Sequence, residues 1–202
     1  MRILAAGDLH GDISLAKEIS EKAHKERAEL IVLCGDLTHF DDSPKGFINE
    51  LIKNRHRVLF VPGNHDSEAT ADFFSEAYSI RNLNKGPAVY GNFAFVGAGG
   101  ACVGPFPTSE SKLMYTLEKN FSRAEPFLGL KKILVTHTHP EGTLMERLTD
   151  FFKGSKALKQ VIKKMQPDVV LCSHVHEASG IEEKIGNTKV LNVSRVGRIV
   201  DL

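Results

Sequence analysis

Five short apolar runs constrain the fold of this chain more than any other feature of its sequence. Each run holds three or four residues, is rich in Val, Ile and Leu, and contains no charge: residues 3–6, 30–33, 58–61, 133–135 and 169–171. Such runs are typical of strands buried on both faces of a sheet that helices cover. Between them, apolar residues recur at helical spacing, as at Leu15, Ile19 and Ala23. The alternation predicts an α/β fold.

Two pairs of strand-like segments interrupt this alternation. Each pair surrounds a Gly-Asn dipeptide: residues 88–90 and 93–95 around Gly91-Asn92, and residues 182–185 and 188–193 around Gly186-Asn187. A Gly-Asn dipeptide between two strands favours a two-residue hairpin turn. We therefore predict mixed sheets, with antiparallel strands added after the third run and near the C-terminus.

Length and composition restrict the class of protein. A chain of 202 residues is predicted to form one domain over residues 1–202. Its 26 Lys and Arg residues balance 25 Asp and Glu residues, so no basic field favours a nucleic-acid partner. No run approaches the ~18–20 apolar residues of a membrane span, and the first residues predict a strand rather than a signal peptide. Three cysteines, an odd number, fit a reducing compartment, so we expect a cytoplasmic protein without a membrane partner.

Polar residues capable of chemistry follow each of the five runs. They are Asp8, His10, Asp36, Asn64, His65, His137, His174 and His176. Ligands bind at the carboxyl ends of strands in open α/β sheets, so we expect these side chains to meet. Six of the nine histidines fall in these segments, at positions 10, 65, 137, 139, 174 and 176. Histidines scattered over a surface would not cluster in this way.

These residue types and their spacing predict a metal site. Residues two positions apart in extended chain point the same way, which places Asp8 beside His10 and His174 beside His176. Imidazole and carboxylate suit Zn, Fe, Mn, Co or Ni rather than Ca or Mg alone. Seven possible ligands exceed the four of a structural zinc site. Two ions that share a bridging carboxylate would use these ligands and keep open coordination positions for catalysis. With two aspartates and a bridging hydroxide, the two divalent ions would leave a net charge of about +1 at the site, which attracts phosphate.

Five sequence blocks, in this order, resemble the calcineurin-like metallophosphoesterase superfamily. They are Asp8-x-His10, Gly35-Asp36, Gly63-Asn64-His65-Asp66, Thr136-His137 and His174-x-His176. Residues 154–178 further resemble the small prokaryotic phosphoesterases of that superfamily. The resemblance implies a four-layer α/β/β/α sandwich with two mixed sheets. It also implies a dinuclear enzyme that hydrolyses a small phosphodiester or phosphomonoester, in which a metal-bridging hydroxide attacks phosphorus.

The resemblance assigns a role to each residue. Asp8, His10, Asp36 and His176 would hold one divalent ion, and Asp36, Asn64, His137 and His174 the other, with Asp36 bridging. His65 would bind no metal and would protonate or stabilise the leaving oxygen. Asp66 would orient His65, and capping of the following helix is an alternative role for it.

The sequence departs from the family pattern without losing a ligand. Ser173 stands where the family usually has glycine, His139 replaces a proline, and Val193-Ser194 follows Asn192 where Pro-Gly is common. His139 in place of His137 as the ligand is an alternative. His39 is expected near a ligand or on the surface, with substrate contact as the alternative. Arg195 is expected to be solvated, with a phosphate contact as the alternative.

Two further functions stay open on the sequence alone. One is a non-catalytic scaffold of the same fold, which the complete ligand set disfavours. The other is a nuclease, which the near-neutral charge and the lack of chain for a DNA-capping domain disfavour. Loops over residues 97–111 and 140–154 are expected to lie beside the site and to set specificity. The expected partners are a small phosphate ester and two divalent ions, with Mn favoured for assay, and a homo-oligomer is compatible with the sequence.

Overall fold

The computed structural model describes residues 1–127, 129–149 and 151–202. The described residues form eleven strands: β1 Arg2–Ala6, β2 Leu30–Cys34, β3 Arg57–Val61, β4 Arg81–Asn82, β5 Ala88–Tyr90, β6 Phe93–Ala98, β7 Lys131–Thr136, β8 Val169–Cys172, β9 Glu182–Ile185, β10 Thr188–Asn192 and β11 Arg198–Asp201. They also form five helices: α1 Ile13–Lys25, α2 Phe47–Ile52, α3 Glu68–Tyr78, α4 Glu110–Ala124 and α5 Lys156–Met165. All five predicted runs are strands. Within the described residues, no helix has the length and apolar character needed to cross a membrane.

The strands divide between two mixed sheets. The first has the order β11-β1-β2-β3-β4, with β1 to β4 parallel and β11 antiparallel to β1. The second has the order β5-β6-β7-β8-β10-β9, with four parallel inner strands and an antiparallel strand at each edge. Both predicted hairpins, β5–β6 and β9–β10, are therefore confirmed. The five runs contribute three strands to one sheet and two to the other.

The layers follow from the alternation of side chains along each strand. In β1, Ile3 and Ala5 belong to a core that also contains Phe95 and Leu171 of the second sheet. Leu4 and Ala6 instead join the core that contains residues of α1, α2 and α3. A third core lies between the second sheet and helices α4 and α5. Because successive side chains point to opposite faces, each sheet is covered on both sides. This confirms the α/β/β/α sandwich.

Two strands, both at edges of the first sheet, are not predicted by the sequence pattern. Strand β4 has only two residues, and β11 carries charges at both ends. Strand β11 pairs with β1, where Arg2 lies opposite Asp201 and its Nε donates to Asp201 Oδ1 at 2.8 Å. Edge strands have one free side, so their sequences need no uninterrupted apolar run.

Candidate metal centre

The five strand ends meet at one rim of the sandwich. Asp8 and His10 follow β1, Asp36 follows β2, and Asn64 and His65 follow β3. The remaining ligand candidates follow the second sheet: His137 after β7, and His174 and His176 after β8. Six of these eight residues line a cleft of about 280 Å³, while Asp8 and His137 are fully buried. The rim therefore brings all eight predicted residues together, although they come from two sheets.

Several of these residues have unusual backbone conformations. Asp8, His10, Asp36 and His174 all have positive φ angles, of 55°, 46°, 51° and 73°. The left-handed region is unfavourable for residues with a side chain and costs of order 1–3 kcal/mol where it is enforced. The strand-end turns are fixed by backbone hydrogen bonds, since Asp8 N–H donates to the Gly35 carbonyl and His10 N–H to the Asp36 carbonyl, each at 2.9 Å. Such clustered strain is characteristic of functional sites.

The first group of possible ligands comprises Asp8, His10 and His176. Their ligand atoms all lie within 4.8 Å of one another. His10 Nδ1 lies 3.2 Å from the carbonyl oxygen of Thr38. A carbonyl only accepts, so the ring hydrogen is on Nδ1 and Nε2 keeps its lone pair. That Nε2 lies 3.7 Å from Asp36 Oδ2, which brings a second carboxylate to the group.

The second group comprises Asp36, His137 and His174, again within 4.8 Å. His137 Nδ1 donates to the Cys34 carbonyl at 2.9 Å, so its Nε2 also keeps a lone pair. That atom lies 2.8 Å from Asn64 Oδ1 and 3.5 Å from Asp36 Oδ2. His174 Nδ1 lies 3.1 Å from the same His137 Nε2. When the His137 ring is neutral, its Nε2 lone pair and the two neighbouring oxygens form a donor set that suits a cation.

Asp36 connects the two groups. Its Oδ2 lies 3.7 Å from His10 Nε2 and 3.5 Å from His137 Nε2, while its Oδ1 accepts from the backbone N–H of His65 at 2.8 Å. The side chain is almost completely buried, with 3% of the residue exposed. One carboxylate between two sets of imidazoles fits the pair of divalent ions implied by the resemblance. The donor set of carboxylate, imidazole and amide oxygen suits first-row transition metals.

Burial and neighbouring charges shift the pKa of several candidate ligands. Burial raises the pKa of Asp8, but the contact with His176 and other positive charge outweigh it and hold the pKa at about 2. Burial raises the pKa of Asp36 to about 6. It lowers the pKa of His10 to about 4 and that of His174 to about 2. These two imidazoles are therefore neutral at physiological pH, which is the form that binds metal.

His65 lies in the cleft but outside the two groups that contain carboxylates. Its ring packs edge-on against the His10 ring, with centroids 4.8 Å apart. It stacks on the His39 ring, with centroids 5.3 Å apart and an angle of 20° between the ring planes. Ligand atoms of these three histidines also lie within 4.8 Å of one another. Burial lowers the pKa of His65, with a further contribution from His39. The His39 side chain is in contact with the site residues His10 and His65, which agrees with its expected place near a ligand.

The capping role predicted for Asp66 is wrong. The N-terminal cap of α3 is Ser67, whose Oγ accepts from the backbone N–H of Thr70 at 3.1 Å. The chain turns at Asp66 before the helix begins, so its carboxylate points away from the free N–H groups of the first turn. A Ser is as good a cap as an Asp, which explains why sequence alone did not separate the two positions.

The orienting role predicted for Asp66 also needs correction. Its carboxylate accepts from the backbone N–H groups of Leu37, Thr38 and Gly63 at 3.1, 2.8 and 2.8 Å, and from Thr38 Oγ1 at 2.7 Å. Among the described residues, Nδ1 of His65 is buried without a hydrogen-bond partner. Asp66 therefore holds the loop after β2 against the loop after β3, and does not hold the His65 ring.

Replacing Asp66 with Ala is expected to destabilise the protein by about 3–5 kcal/mol, because three buried N–H groups lose their acceptor. Thermal unfolding in the presence of a chelator measures this directly. Asp72→Ala is a matched control, since Asp72 makes an exposed ion pair with Lys85 at 3.0 Å and should change stability by less than about 1 kcal/mol. Equal melting temperatures for the two variants would contradict the role assigned to Asp66.

Two other residues singled out in the sequence are also located. His139 is fully buried, and among the described residues neither of its ring nitrogens has a hydrogen-bond partner. Both ligand groups exclude it, which favours His137 as the ligand. Arg195 lies outside the cleft lining, and its Nη2 is 3.8 Å from Asp12 Oδ2. This exposed position agrees with the expectation of a solvated arginine.

Ser173 departs from the family pattern, and Gly7 accommodates it. The Ser173 hydroxyl donates to the Cys34 carbonyl and lies 3.1 Å from His137 Nδ1. A Cβ on Gly7 would lie only 2.6 Å from the Ser173 Cβ, so the residue opposite must be glycine. The Ser173 hydroxyl therefore contacts the Nδ1 side of the His137 ring and leaves its Nε2 free to bind metal.

The two loops contribute residues to the cleft that the sequence pattern did not predict individually. Val103 and Gly104 line the cleft from the first loop, and Phe152 lines it from the second. The ring centroids of Phe152 and His174 are 4.6 Å apart. Both loops contribute residues to the site, as predicted, although residues 97–98 belong to β6 and residues 110–111 to α4. Glu177, directly after His176, also lines the cleft. The sequence signal for these residues was their position within a predicted loop or next to a ligand.

Comparison with known proteins agrees with the fold. The chain is 34% identical to an uncharacterized protein, MJ1162, of Methanocaldococcus jannaschii, over 96% of this chain and 88% of the relative. It is similar in fold to the crystal structure of TT1561 of Thermus thermophilus, with a TM-score of 0.72 and 21% identity, covering 95% of this chain and 88% of the other. It is also similar in fold to a dimetal phosphatase from Danio rerio, with a TM-score of 0.65 and 12% identity, covering 95% of this chain and 86% of the other.

The sequence profile of one family covers most of the chain. The profile described as calcineurin-like phosphoesterase matches residues 1–178, which include every candidate ligand. Members of this family are hydrolases that act on phosphate esters and use a dinuclear centre of divalent metals. With that match, and with candidate ligands gathered at one rim of an α/β/β/α sandwich, this chain belongs to the calcineurin-like phosphoesterase family.

Proposed function

We propose that this protein hydrolyses a small phosphodiester or phosphomonoester at a centre of two divalent ions. The observation that carries the proposal is the position of Asp36 between the two ligand groups, with one carboxylate oxygen 3.7 Å from His10 Nε2 and 3.5 Å from His137 Nε2. A single structural ion would not need a carboxylate shared between two groups. The shared carboxylate supports a pair of ions whose spacing the protein sets.

The proposed centre divides the side chains between two ions. Asp8, His10 and His176 would hold one ion, Asn64, His137 and His174 the other, and Asp36 would be common to both. Two bound ions would supply Lewis-acid charge for the phosphate oxygens and an activated water as nucleophile. The protein's own contribution is to fix the ligands, because Thr38 and Cys34 carbonyls orient the rings of His10 and His137.

His65 is proposed to act on the leaving oxygen. Its ring lies in the cleft beside His10 and its lowered pKa leaves it mainly neutral at physiological pH, with one N–H to donate. In the hydrolysis, the oxygen of water forms a bond to phosphorus, the bond to the leaving oxygen breaks, and the alcohol departs with a proton. A hydrogen bond from His65 would stabilise charge on that oxygen as it develops.

The size of the cleft favours a small substrate. At about 280 Å³ it is at the lower end of the volumes typical of small-molecule sites. The formal net charge of +1 supplies no extended positive surface for a nucleic acid. Both observations support a small ester over a polymer.

Metal content and hydrolysis together test the proposal. Protein loaded separately with Mn²⁺, Fe²⁺, Co²⁺, Ni²⁺ or Zn²⁺ is expected to retain two ions per chain and to hydrolyse bis-nitrophenyl phosphate or nitrophenyl phosphate with at least one of them. Chelation should abolish turnover, and the same ion should restore it. Two bound ions without turnover of either ester would instead support a non-catalytic scaffold.

Metal occupancy is expected to fall as the pH drops below about 6. Burial lowers the pKa of His137, but the charges of Asp36 and Asp8 outweigh it, and the nearby Asp8 carboxylate raises the pKa of His176. Protons therefore compete with metal at these two imidazoles, and at Asp36, whose pKa is about 6 in the metal-free protein. Dialysis at about pH 7.5, 6 and 5 followed by elemental analysis measures the loss. Full occupancy at the lowest pH would contradict this ligand set.

A further inference from the structure

We propose that an apolar rim, formed by Phe40, Val103 and Phe152, makes this site select phosphate esters with an apolar, ring-sized organic group. The inference rests on the proposed function, because it concerns the part of the substrate beyond the phosphate. It assigns Phe40 as the principal specificity residue on the side of the leaving group.

Phe40 is an exposed aromatic residue in contact with the proposed catalytic histidine. Its ring centroid lies 4.7 Å from that of His65 and 4.5 Å from that of His39, edge-on in both cases. Although it contacts both rings, 56% of the residue is accessible to solvent. An organic group bonded to the oxygen next to His65 would cover this exposed surface. Burial of apolar area on both partners would then favour binding.

The backbone holds Phe40 in this position at a cost. Phe40 and Asp41 both have positive φ angles, of 56° and 63°. A bulky residue seldom adopts this region without tertiary contacts that enforce it. Here the turn is held at both ends: residues His39 and Asp42 pair through their backbones, Asp41 N–H donates to the His65 carbonyl at 3.1 Å, and Asp41 Oδ1 accepts from Ser67 N–H at 2.7 Å.

This arrangement differs from that of an ordinary surface phenylalanine. The same turn that contacts the backbone of His65 carries the ring that touches its imidazole. The position of the ring is therefore fixed relative to the proposed leaving-group donor. A fixed apolar surface needs little ordering when a ligand binds, which increases its contribution to affinity.

The other members of the apolar rim and the charges of the cleft agree with an apolar group. Val103, 41% exposed, and Phe152 line the cleft itself. Among the described residues, the ten that line the cleft include no Lys or Arg, and Glu177 adds a negative charge. A second phosphate or a carboxylate on the substrate would therefore find no cationic side chain in the lining. An uncharged apolar substituent has a matching surface.

A pair of substrates with similar leaving alcohols tests the inference. We expect the metal-loaded protein to hydrolyse 2-phenylethyl phosphate with a kcat/KM at least about tenfold above that for ethyl phosphate. If the protein prefers diesters, the corresponding methyl diesters should show the same preference. Phe40→Ala should reduce this ratio about five- to tenfold, mainly through KM. Val103→Thr, which keeps the shape of the side chain, should reduce it by a smaller factor.

Phe73→Ala is the matched control. Phe73 is 57% exposed on α3, where it packs against Phe74 and Tyr78, so its loss removes a similar surface away from the site. The substrate ratio should be unchanged in this variant. If Phe40→Ala leaves the ratio of the two kcat/KM values at its wild-type value, whether or not both activities fall, the inference is overturned.

Binding separates this inference from the proposed function. Calorimetry with 2-phenylethylphosphonate and ethylphosphonate, which are not hydrolysed, should show the same preference and the same loss in Phe40→Ala. If no ester is turned over but the phosphonate preference is present and depends on Phe40, the proposed function fails and the apolar rim stands. If esters are turned over without a preference, the apolar rim fails alone. If neither phosphonate binds and no ester is turned over, both are overturned.

Discussion

Replacing Asp36 with Asn is expected to remove metal from the centre and to reduce turnover at least about a thousandfold. An amide lacks the negative charge, and its single oxygen cannot both accept from the His65 N–H and face the two ligand groups. Asp36 Oδ2 faces His10 Nε2 and His137 Nε2 at 3.7 and 3.5 Å, so both groups should be affected. Elemental analysis of the purified variant and hydrolysis with added metal measure the two effects.

The stability of the same variant shows whether the loss comes from metal binding or from misfolding. Burial raises the pKa of Asp36 from 3.8 to about 6, so the folded, metal-free protein binds this proton more tightly than the unfolded chain. The contribution of Asp36 to stability therefore decreases as the pH rises between these two values, and the charged form is unfavourable at neutral pH. In the presence of a chelator, Asp36→Asn should melt at or above the wild-type temperature. Two ions per chain and full activity in Asp36→Asn would disprove the shared carboxylate.

Replacing His65 with Ala is expected to lower kcat by at least about a hundredfold while both ions remain bound. Groups that donate a proton or a hydrogen bond in the transition state typically contribute ~10²–10⁴-fold, or ~3–5 kcal/mol of the barrier. The His65 ring lies in the cleft and contacts the rings of His10 and His39. The loss should be larger for alkyl esters than for nitrophenyl esters, because the alkyl leaving oxygen carries more charge.

Two variants sharpen this test. His65→Gln keeps an N–H donor and should recover part of the lost rate for alkyl esters, whereas a purely structural role would show no such recovery. His24→Ala removes an exposed histidine from the last turn of α1 and should leave kcat unchanged. An equal loss for alkyl and nitrophenyl esters would exclude a role at the leaving oxygen. Loss of metal from His65→Ala would make His65 a ligand.

Local signals in the sequence were sufficient for the secondary structure of the central strands. The run at residues 30–33 lies in β2, which is buried at all five positions, because a strand covered on both faces has no polar position. The Gly-Asn turns predicted both hairpins, since two-residue turns have few alternatives. The helical spacing of Leu15, Ile19 and Ala23 likewise falls within α1, which spans Ile13–Lys25.

The sequence also identified the residues of the candidate site, for a related reason. Asp8, Asp36, Asn64, His137 and His174 closely follow buried strands, and parallel strands end at the same edge. Their order in the chain carried the family resemblance, and the profile match over residues 1–178 confirmed the family. The assignment of each ligand to an ion remains a prediction that the metal analysis of Asp36→Asn tests.

Tertiary structure alone decided which partner each polar side chain has. Asp66 and Ser67 are adjacent and both are good caps, yet only the packing of the loops after β2 and β3 sends the Asp66 carboxylate to Leu37 and Gly63. The positive φ of Phe40 likewise depends on contacts with residues more than twenty positions away. Periodicity and turn propensity depend on neighbours along the chain, and therefore determine strands, turns and strand ends. Hydrogen-bond partners, the pairing of β11 with β1 and side-chain surfaces depend on residues distant in sequence, whose positions are fixed only when the chain folds.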